Sequence, residues 1–419
     1  MDQDQPSKQR HVTIIGAGTV GVCCGLYLQL DGHDVTLIDF RGPGEGCSRG
    51  SGGQFVAGYC VPVGMPGVVK QVPSMILDPL GPLTIRWRYL PRLAPWLLRF
   101  MAASSPKRVE QIADALLPLN KDPLSVFQPL LDRADADSLI VRNGRLDVYE
   151  SDKVYHKSLP KYELLRQRGV ALEFLDADQI AGLEPELAGR VNYGVLMPES
   201  AHTADPLRLT QRLAEDLVRH GGRIVREKVL DFEVGPDRPT KVRTDMGAHD
   251  LDVVVLAAGA HGKRLAARLG SRLPLDAERG YHVMLPDPGL QFSRTVLYGD
   301  LYFGITPMAD GLRLAGTVEL ASPDAPPNYE RAANLVRSAQ RLFPEIRTDG
   351  STQWMGCRPS MPDSLPVIGR SPVHESVYFA FGHGHLGLTG AAMTGKLIAE
   401  MVGGRPTTID VEPYAPDRF

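Results

Sequence analysis

The chain has 419 residues, 43% of them hydrophobic and 23% charged, with a formal net charge of −3. That length suffices for two domains and a large core, and so small a net charge gives no reason to expect a nucleic-acid partner. The five cysteines (Cys23, Cys24, Cys47, Cys60, Cys357) form no C-x-x-C pair and are odd in number, which argues against a disulfide framework and a zinc site and fits a reducing, cytoplasmic compartment.

Residues 1–10 carry two aspartates and no apolar run, so no secretory signal is expected. No window approaches the roughly eighteen apolar residues of a membrane span. From His11 the pattern sharpens. Val12 to Ile15 is a β-branched run of the kind buried on both faces of a parallel sheet. Gly16, Gly18 and Gly21 follow at G-x-G-x-x-G spacing, an apolar helical stretch runs from Val20 to Leu30, and Gly32 sits where that helix should end. Val35 to Ile38 is a second strand and ends on Asp39. Strand, glycine turn, helix, strand and terminal acid together mark a dinucleotide site. Gly16 permits the turn, Gly18 lets backbone approach a pyrophosphate, Gly21 lets the helix pack on the sheet, and Asp39 can accept from a ribose.

The stretch Arg41 to Gln54 is rich in glycine and serine; its place after the ribose acid suits ligand contact, with Ser48 and Ser51 as phosphate donors. Residues 72–101 combine an apolar, proline-containing run with Trp87, Tyr89, Trp96, Leu97, Leu98 and Phe100 among Arg86, Arg88, Arg92 and Arg99. Such a segment suits either a packed helical lobe or a membrane surface. Helices are expected over 107–135, 154–168, 207–220, 263–269, 328–343 and from about 389 to 401, and a short turn at 178–185. Strands are expected at 144–149, 222–225, 229–234, 242–244, 252–259 and 377–381, and 281–318 reads as an antiparallel sheet. Strand–helix alternation that resumes after a long interruption implies an α/β domain assembled from separate pieces.

With these pieces in place the chain resembles the flavin amine-oxidoreductase superfamily that includes D-amino acid oxidase, glycine oxidase and sarcosine oxidase, and within it the bacterial D-amino acid dehydrogenase small-subunit group. The resemblance runs from His11 to about Gly403. It is carried by the glycine turn with Asp39, by Ser48 to Gln54 with Gly58-Tyr59, by Ala257-Ala258-Gly259, by Gly356-Cys357-Arg358-Pro359 with Pro366 to Gly369, and by Gly382 to Gly387. It implies a discontinuous, glutathione-reductase-type Rossmann FAD domain (10–60, 195–275, 355–419) and a substrate domain of antiparallel sheet and helices (61–194, 276–354). It implies non-covalent FAD held by Gly16, Ala17, Gly18, Thr19, Val20, Gly21, Asp39, Phe40, Arg41, Cys47, Ser48, Ser51, Gly52, Gly53, Gln54, Val229, Ala257, Ala258, Gly259, Gly384, His385, Leu386, Gly387, Leu388 and Thr389. By the same resemblance, Arg358 binds a substrate carboxylate, helped by Tyr302 of the pair Tyr298/Tyr302, with Gln54 and His383 also facing substrate. Sarcosine oxidases carry a flavin-linked cysteine near Cys357, where D-amino acid dehydrogenases usually have an apolar residue.

The implied reaction is oxidative deamination of a D-amino acid to a 2-oxo acid. Hydride would pass from Cα to flavin N5, and electrons onward to a quinone or respiratory acceptor, with contact at the inner membrane surface compatible with the 86–100 segment. The alternatives are a secondary or cyclic amino acid (D-proline, D-hydroxyproline, sarcosine, an opine) and a subunit of a larger dehydrogenase.

Overall fold

A computed structural model describes residues 9–67 and 81–419. The opening unit forms as its pattern dictates: strand His11–Ile15, helix Thr19–Leu30, strand Asp34–Asp39. The two strands are parallel and in register, Val12 beside Val35 and Ile15 beside Ile38. They lie in a six-stranded sheet whose order is Arg223–Arg226, Asp34–Asp39, His11–Ile15, Val253–Leu256, Val377–Phe381, Val367–Arg370. All neighbours are parallel except the last pair. Both faces are covered, which is why Val253–Leu256 can be buried at every position. The helices Thr19–Leu30 and Ala391–Val402 pack on one face. The helix Gly262–Arg268 and a three-stranded antiparallel meander, Val229–Val234, Pro239–Thr244 and Ala248–Asp250, cover the other.

The second layer is a larger sheet in the order Thr352–Ser360, Asp276–Leu285, Gly311–Leu320, Phe303–Met308, Thr295–Tyr298, Arg145–Tyr149, Tyr193–Met197, Glu173–Asp176. Its pairs are antiparallel except Thr295–Tyr298 with Arg145–Tyr149. The helix Glu330–Leu342 closes its outer face. The segment Thr352–Ser360 carries no strand pattern in the sequence because Gly356 and Pro359 interrupt it. It is nonetheless the edge strand, where a residue lacking N–H is tolerated. Because that strand runs across residue 355, and Tyr193–Met197 belongs wholly to the large sheet, both layer boundaries fall a few residues later than the sequence suggests.

Residues 72–80 of the apolar, arginine-bearing segment lie outside the described residues. The rest forms a short strand, Leu83–Ile85, and the helix Leu90–Ala103. Leu93 and Trp96 are buried beside Ile85 and Leu320, and Trp96 stacks on Phe100 with centroids 5.3 Å apart. Arg86 is spent on Glu319 at 2.6 Å. The exposed positions mix apolar and basic side chains: Leu98 is 64% exposed beside the exposed Arg92 and Arg99, and Trp87, just before the helix, is 69% exposed. Among the described residues no helix is long and apolar enough to cross a membrane.

Three histidines are buried at the seam of the cleft and its sheets. His202 lies on strand Ala201–Thr203, His282 stacks on Trp354 and meets the Gly50 carbonyl, and His383 Nε2 lies 2.8 Å from Thr394 Oγ1. Burial pushes each down to about 4. The unfolded chain takes up these protons near pH 6.5 and the folded chain only near 4, so stability is full above about 6.5 and falls as pH drops through that window. Each histidine contributes a slope of up to about 1.4 kcal/mol per pH unit. The melting temperature should therefore be flat from pH 8 to 7 and drop steeply between 6.5 and 4.5. A flat profile to pH 5 would contradict neutral burial.

Candidate active site

A single long cleft of about 1620 Å³ runs between the two sheets. Pockets for one drug-sized ligand measure about 300–1,000 Å³, so this one has room for a large cofactor and a substrate together. One end is the glycine turn. Gly16 adopts φ +116°, and a Cβ there would lie 2.5 Å from the Ala257 carbonyl oxygen. A Cβ on Gly21 would lie 2.0 Å from the Gly16 oxygen, so this glycine serves helix packing and is not part of the cleft wall. Gly18 has an ordinary extended backbone and only the Ser48 hydroxyl within reach of an added Cβ, at 3.3 Å. Fold geometry thus dictates two of the three glycines, and the third keeps space open at the helix N-terminus.

Asp39 accepts hydrogen bonds from the Ala17 N–H (2.8 Å) and the Arg41 N–H (2.9 Å), which fixes both loops around the turn. Ser48 Oγ accepts from the Thr19 N–H at 3.0 Å, and Ser51 Oγ from Gly53. Both hydroxyls accept here, shaping the loop, and each keeps its O–H as a donor. Ala17, Thr19, Val20, Phe40, Arg41, Cys47, Gly52, Gly53, Gln54, Val229, Ala257, Ala258 and Gly259 also line the cleft. Farther along, Gly384, His385, Leu386, Gly387, Leu388 and Thr389 form the wall before the helix Ala391–Val402. Thr389 Oγ1 donates to the Gln54 carbonyl and accepts from the Val56 N–H, both at 3.2 Å, joining this wall to the serine-rich loop. A continuous lining from a glycine cradle to a helix N-terminus fits an extended dinucleotide, with the anion at one helix terminus and the ring near the other.

Beyond that wall stands Arg358. Its guanidinium lies directly over Gly280, where an added Cβ would come within 2.4 Å of Cζ, and Nη1 donates to the Thr317 carbonyl at 3.3 Å. Its cross-strand neighbour Glu278 accepts no hydrogen bond from it and instead accepts from the Ser360 hydroxyl at 2.7 Å. Among the described residues no carboxylate lies within ion-pair distance of Arg358. Burial lowers this guanidinium from its ordinary value while Glu278 pulls it back up; burial raises the Glu278 carboxyl. An enclosed cation with free N–H groups facing a cleft is a receptor for a carboxylate.

Two residues expected at the substrate stand elsewhere. Tyr298 is buried on the far side of its strand, its hydroxyl donating to Glu150 at 2.6 Å, and it does not line the cleft. Strand alternation explains this: Leu297 takes the cleft-facing position. His383 reaches the wall, but its ring is committed to Thr394. Tyr302 does line the cleft, 47% exposed and at φ +54°. Burial raises its phenol, and its charged neighbours are Tyr149, Lys161 and Asp300 rather than Arg358. The Tyr302 backbone lies beside Gly316, next to the Thr317 whose carbonyl accepts from Arg358. His385 is held down at about 4 by enclosure and then by the positive charges of Arg358 and Arg145, so it is neutral.

Sequence reasoning missed Arg145, Lys161, Gly280 and Trp354. Trp354 packs where a Cβ on Gly50 would lie, 2.1 Å from its ring, and so pins the cofactor loop. The available signal was Arg145-x-Asp147, two charges on one face of an otherwise apolar strand.

Cys47 Sγ donates to the Cys357 carbonyl at 2.9 Å, and both residues line the cleft. Burial pushes the Cys357 thiol up to about 12 and also raises Cys47. Neither is a thiolate at neutral pH, and only the thiolate is nucleophilic. Acid precipitation should therefore release all flavin colour to the supernatant; yellow retained in the pellet would show a covalent bond.

A Rossmann-type sheet, a cleft that accepts an extended dinucleotide and a half-buried guanidinium at its far end define a nucleotide-dependent oxidoreductase. Residues 11–401 match the family described as DAO, FAD dependent oxidoreductase. The chain is 38% identical to a D-amino-acid oxidase of Bradyrhizobium diazoefficiens, covering 98% of this chain and 99% of the relative. It is 31% identical to a D-amino acid dehydrogenase of Paramagnetospirillum magneticum, covering 97% and 98%. In fold it is similar to glycine oxidase from Geobacillus kaustophilus, with TM-score 0.72, 22% identity and coverage of 98% and 100%. It is similar also to iminodiacetate oxidase from Chelativorans, with TM-score 0.73, 19% identity and coverage of 97% and 98%. The chain belongs to the DAO family of FAD-dependent oxidoreductases.

Proposed function

We propose that this enzyme oxidises a D-amino acid at its α carbon, releasing the 2-oxo acid after hydrolysis of the imine. The observation that carries this reading is Arg358, a half-buried guanidinium with no carboxylate at ion-pair distance among the described residues, facing the cleft that the glycine turn opens. The names of the relatives support amino acids as the class, and D stereochemistry with it.

Bound in the cleft, FAD supplies a two-electron acceptor for the hydride that leaves Cα. Arg358 takes the carboxylate through parallel N–H bonds, which fixes the orientation of Cα as well as its charge. The cleft walls exclude water from the guanidinium and so strengthen its hold on that anion. As Cα–H leaves as hydride, the nitrogen lone pair closes the C=N bond, and water then replaces nitrogen. His383 and His385 are held down at about 4, so both are poor proton acceptors for an amine, and the chain's contribution is positioning, provided the amine arrives unprotonated. We assign the electron acceptor to a quinone or respiratory carrier. The support is the helix Leu90–Ala103, whose exposed positions combine Leu98 with the basic Arg92 and Arg99 and whose Leu97, Phe100 and Met101 line the cleft.

The test is anaerobic mixing of the purified holoprotein with D- and L-amino acids while the flavin absorbance is followed. Bleaching by D-amino acids supports the reading, and failure of every amino acid to bleach overturns it. Reoxidation faster by a soluble quinone than by oxygen would support the acceptor assignment.

A further inference from the structure

The cleft holds a second guanidinium. Arg145 lies on the strand Arg145–Tyr149, on the face that carries Asp147 and Tyr149, while Leu146 and Val148 fill the core behind. Arg145 Nε donates to Asp147 Oδ1 at 2.9 Å, and Lys161 Nζ donates to Asp147 Oδ2 at 2.8 Å. The Tyr162 hydroxyl donates to the same oxygen at 2.8 Å and lies 2.6 Å from the Tyr149 hydroxyl. Burial alone would raise the Asp147 carboxyl, but the two cations outweigh it and hold it at about 2. Two cations thus share one carboxylate in an enclosed corner, leaving one positive charge uncompensated.

Uncompensated charge of that kind is costly to bury, and this one faces the cleft. The Arg145 guanidinium stands over the Tyr59 ring at 5.6 Å, and Tyr59 meets His385 edge-on at 6.1 Å. All three line the cleft, as does Tyr302. Among the described residues the two terminal nitrogens of Arg145 donate to no protein group.

The spacing suits one small molecule held at both ends. Arg358 starts on the edge strand, but its guanidinium has crossed Gly280 and rests on the Thr317 carbonyl, two strands inward. From the strand of Thr317 to that of Arg145 the sheet steps past the strands of Gly304 and Leu297. Three spacings of about 4.8 Å give about 14 Å across the sheet; Arg145 is level with Arg313, four residues along the strand from Thr317, an offset of about 13 Å that the Arg145 side chain shortens by reaching along its strand to Asp147. Between the two guanidiniums Gly304 and Ala315 floor the path with little side chain, and Leu297 forms its apolar step beside the strand of Arg145.

We propose that Arg145, with Lys161, Tyr59 and Tyr302 around it, forms a second anion subsite, and that the preferred substrate is an amino acid whose side chain ends in a carboxylate. Arg358 holds the α-carboxylate and Arg145 the distal one. This rests on the amino-acid reading above and adds its side-chain class.

The test compares D-glutamate and D-2-aminoadipate with the near-isosteric D-glutamine and D-norleucine as anaerobic reductants of the holoenzyme. The wild type should favour acid over amide in kcat/KM by about 10- to 100-fold, the ordinary worth of a hydrogen bond to a charged group. Arg145→Gln should bring that ratio near one, and Arg145→Lys should leave it intermediate. A merely structural arginine would lower both rates and leave the ratio unchanged. Should Arg145→Gln fail to fold, inhibition of the wild type decides: glutarate should bind at least about tenfold tighter than butyrate. Equal use of acid and amide, an unchanged ratio in a folded Arg145→Gln, or equal inhibition by the two acids overturns the inference. If apolar D-amino acids bleach the flavin while the acidic ones do not, the proposed function stands and this subsite falls. If no amino acid bleaches it, the function falls first.

Discussion

Replacing Arg358 by methionine should reduce kcat/KM for amino-acid oxidation by about 30- to 5,000-fold while leaving the bound flavin and the melting temperature intact. Removing one partner of a buried, hydrogen-bonded charge pair costs roughly 2–5 kcal/mol, and each 1.4 kcal/mol is about tenfold. KM should carry part of the loss, because the carboxylate contact is made in the ground state. Turnover should carry the rest, because a substrate that rotates freely seldom presents its Cα–H. The stability expectation is the less usual half. Arg358 is enclosed, makes a single hydrogen bond to protein and has no carboxylate at ion-pair distance among the described residues. An apolar side chain of similar volume at such a position is neutral or stabilising. Arg358→Lys keeps the charge but not the planar fork and should fall between the two. An Arg358→Met enzyme with unchanged kcat/KM would remove the substrate assignment. One that melts many degrees lower would show instead that the guanidinium holds the edge strand in place.

What the sequence discloses follows what its patterns depend on. The unit from His11 to Asp39 is legible because each part is fixed locally, by β-branched runs, by glycine spacing and by helical periodicity. The helices at 206–219 and 330–342 are legible for the same reason, whereas the stretch read as helical over 107–135 is two helices, 106–120 and 123–134, broken at Lys121–Asp122 before Pro123. The strand of Arg358 is not, because its identity comes from pairing with Asp276–Leu285, a partner about eighty residues distant that no local pattern reveals. Tyr298 and Tyr302 differ in the same way. Both are tyrosines of one hairpin, but strand alternation sends the first into the core and the left-handed backbone at the second turns it to the cleft. Ser48 shows a further limit: its hydroxyl accepts from the Thr19 N–H of the first helix, 29 residues away, a pairing that no local pattern discloses.

The glycine turn offers a sharp division between folding and binding. Gly21→Ala should deprive the cell of stable protein, whereas Gly18→Ala should yield a folded protein with little flavin. At Gly21 the backbone is helical, so alanine would gain about 0.8–1 kcal/mol in helix propensity. That gain is small beside the contact it forces: the added Cβ would stand 2.0 Å from the Gly16 oxygen and 3.3 Å from the Ala257 side chain. Two backbone segments would have to part, and they are the first strand's exit and the helix packed against it. Overpacking of this kind costs roughly 1–3 kcal/mol, and more where backbone must move. At Gly18 the dihedrals, φ −69° and ψ 173°, suit any residue, and the nearest atom to an added Cβ is the mobile Ser48 hydroxyl at 3.3 Å. The methyl would instead occupy the cleft side of the turn, where this fold brings backbone N–H groups to a pyrophosphate. Far-ultraviolet circular dichroism and melting of the apoproteins, set beside flavin content after purification, separate the two effects. A Gly18→Ala protein with full flavin content would show that the turn does not hold the anion. A Gly21→Ala protein as stable as the wild type would show that helix and strand are not packed as closely as the 2.0 Å contact requires.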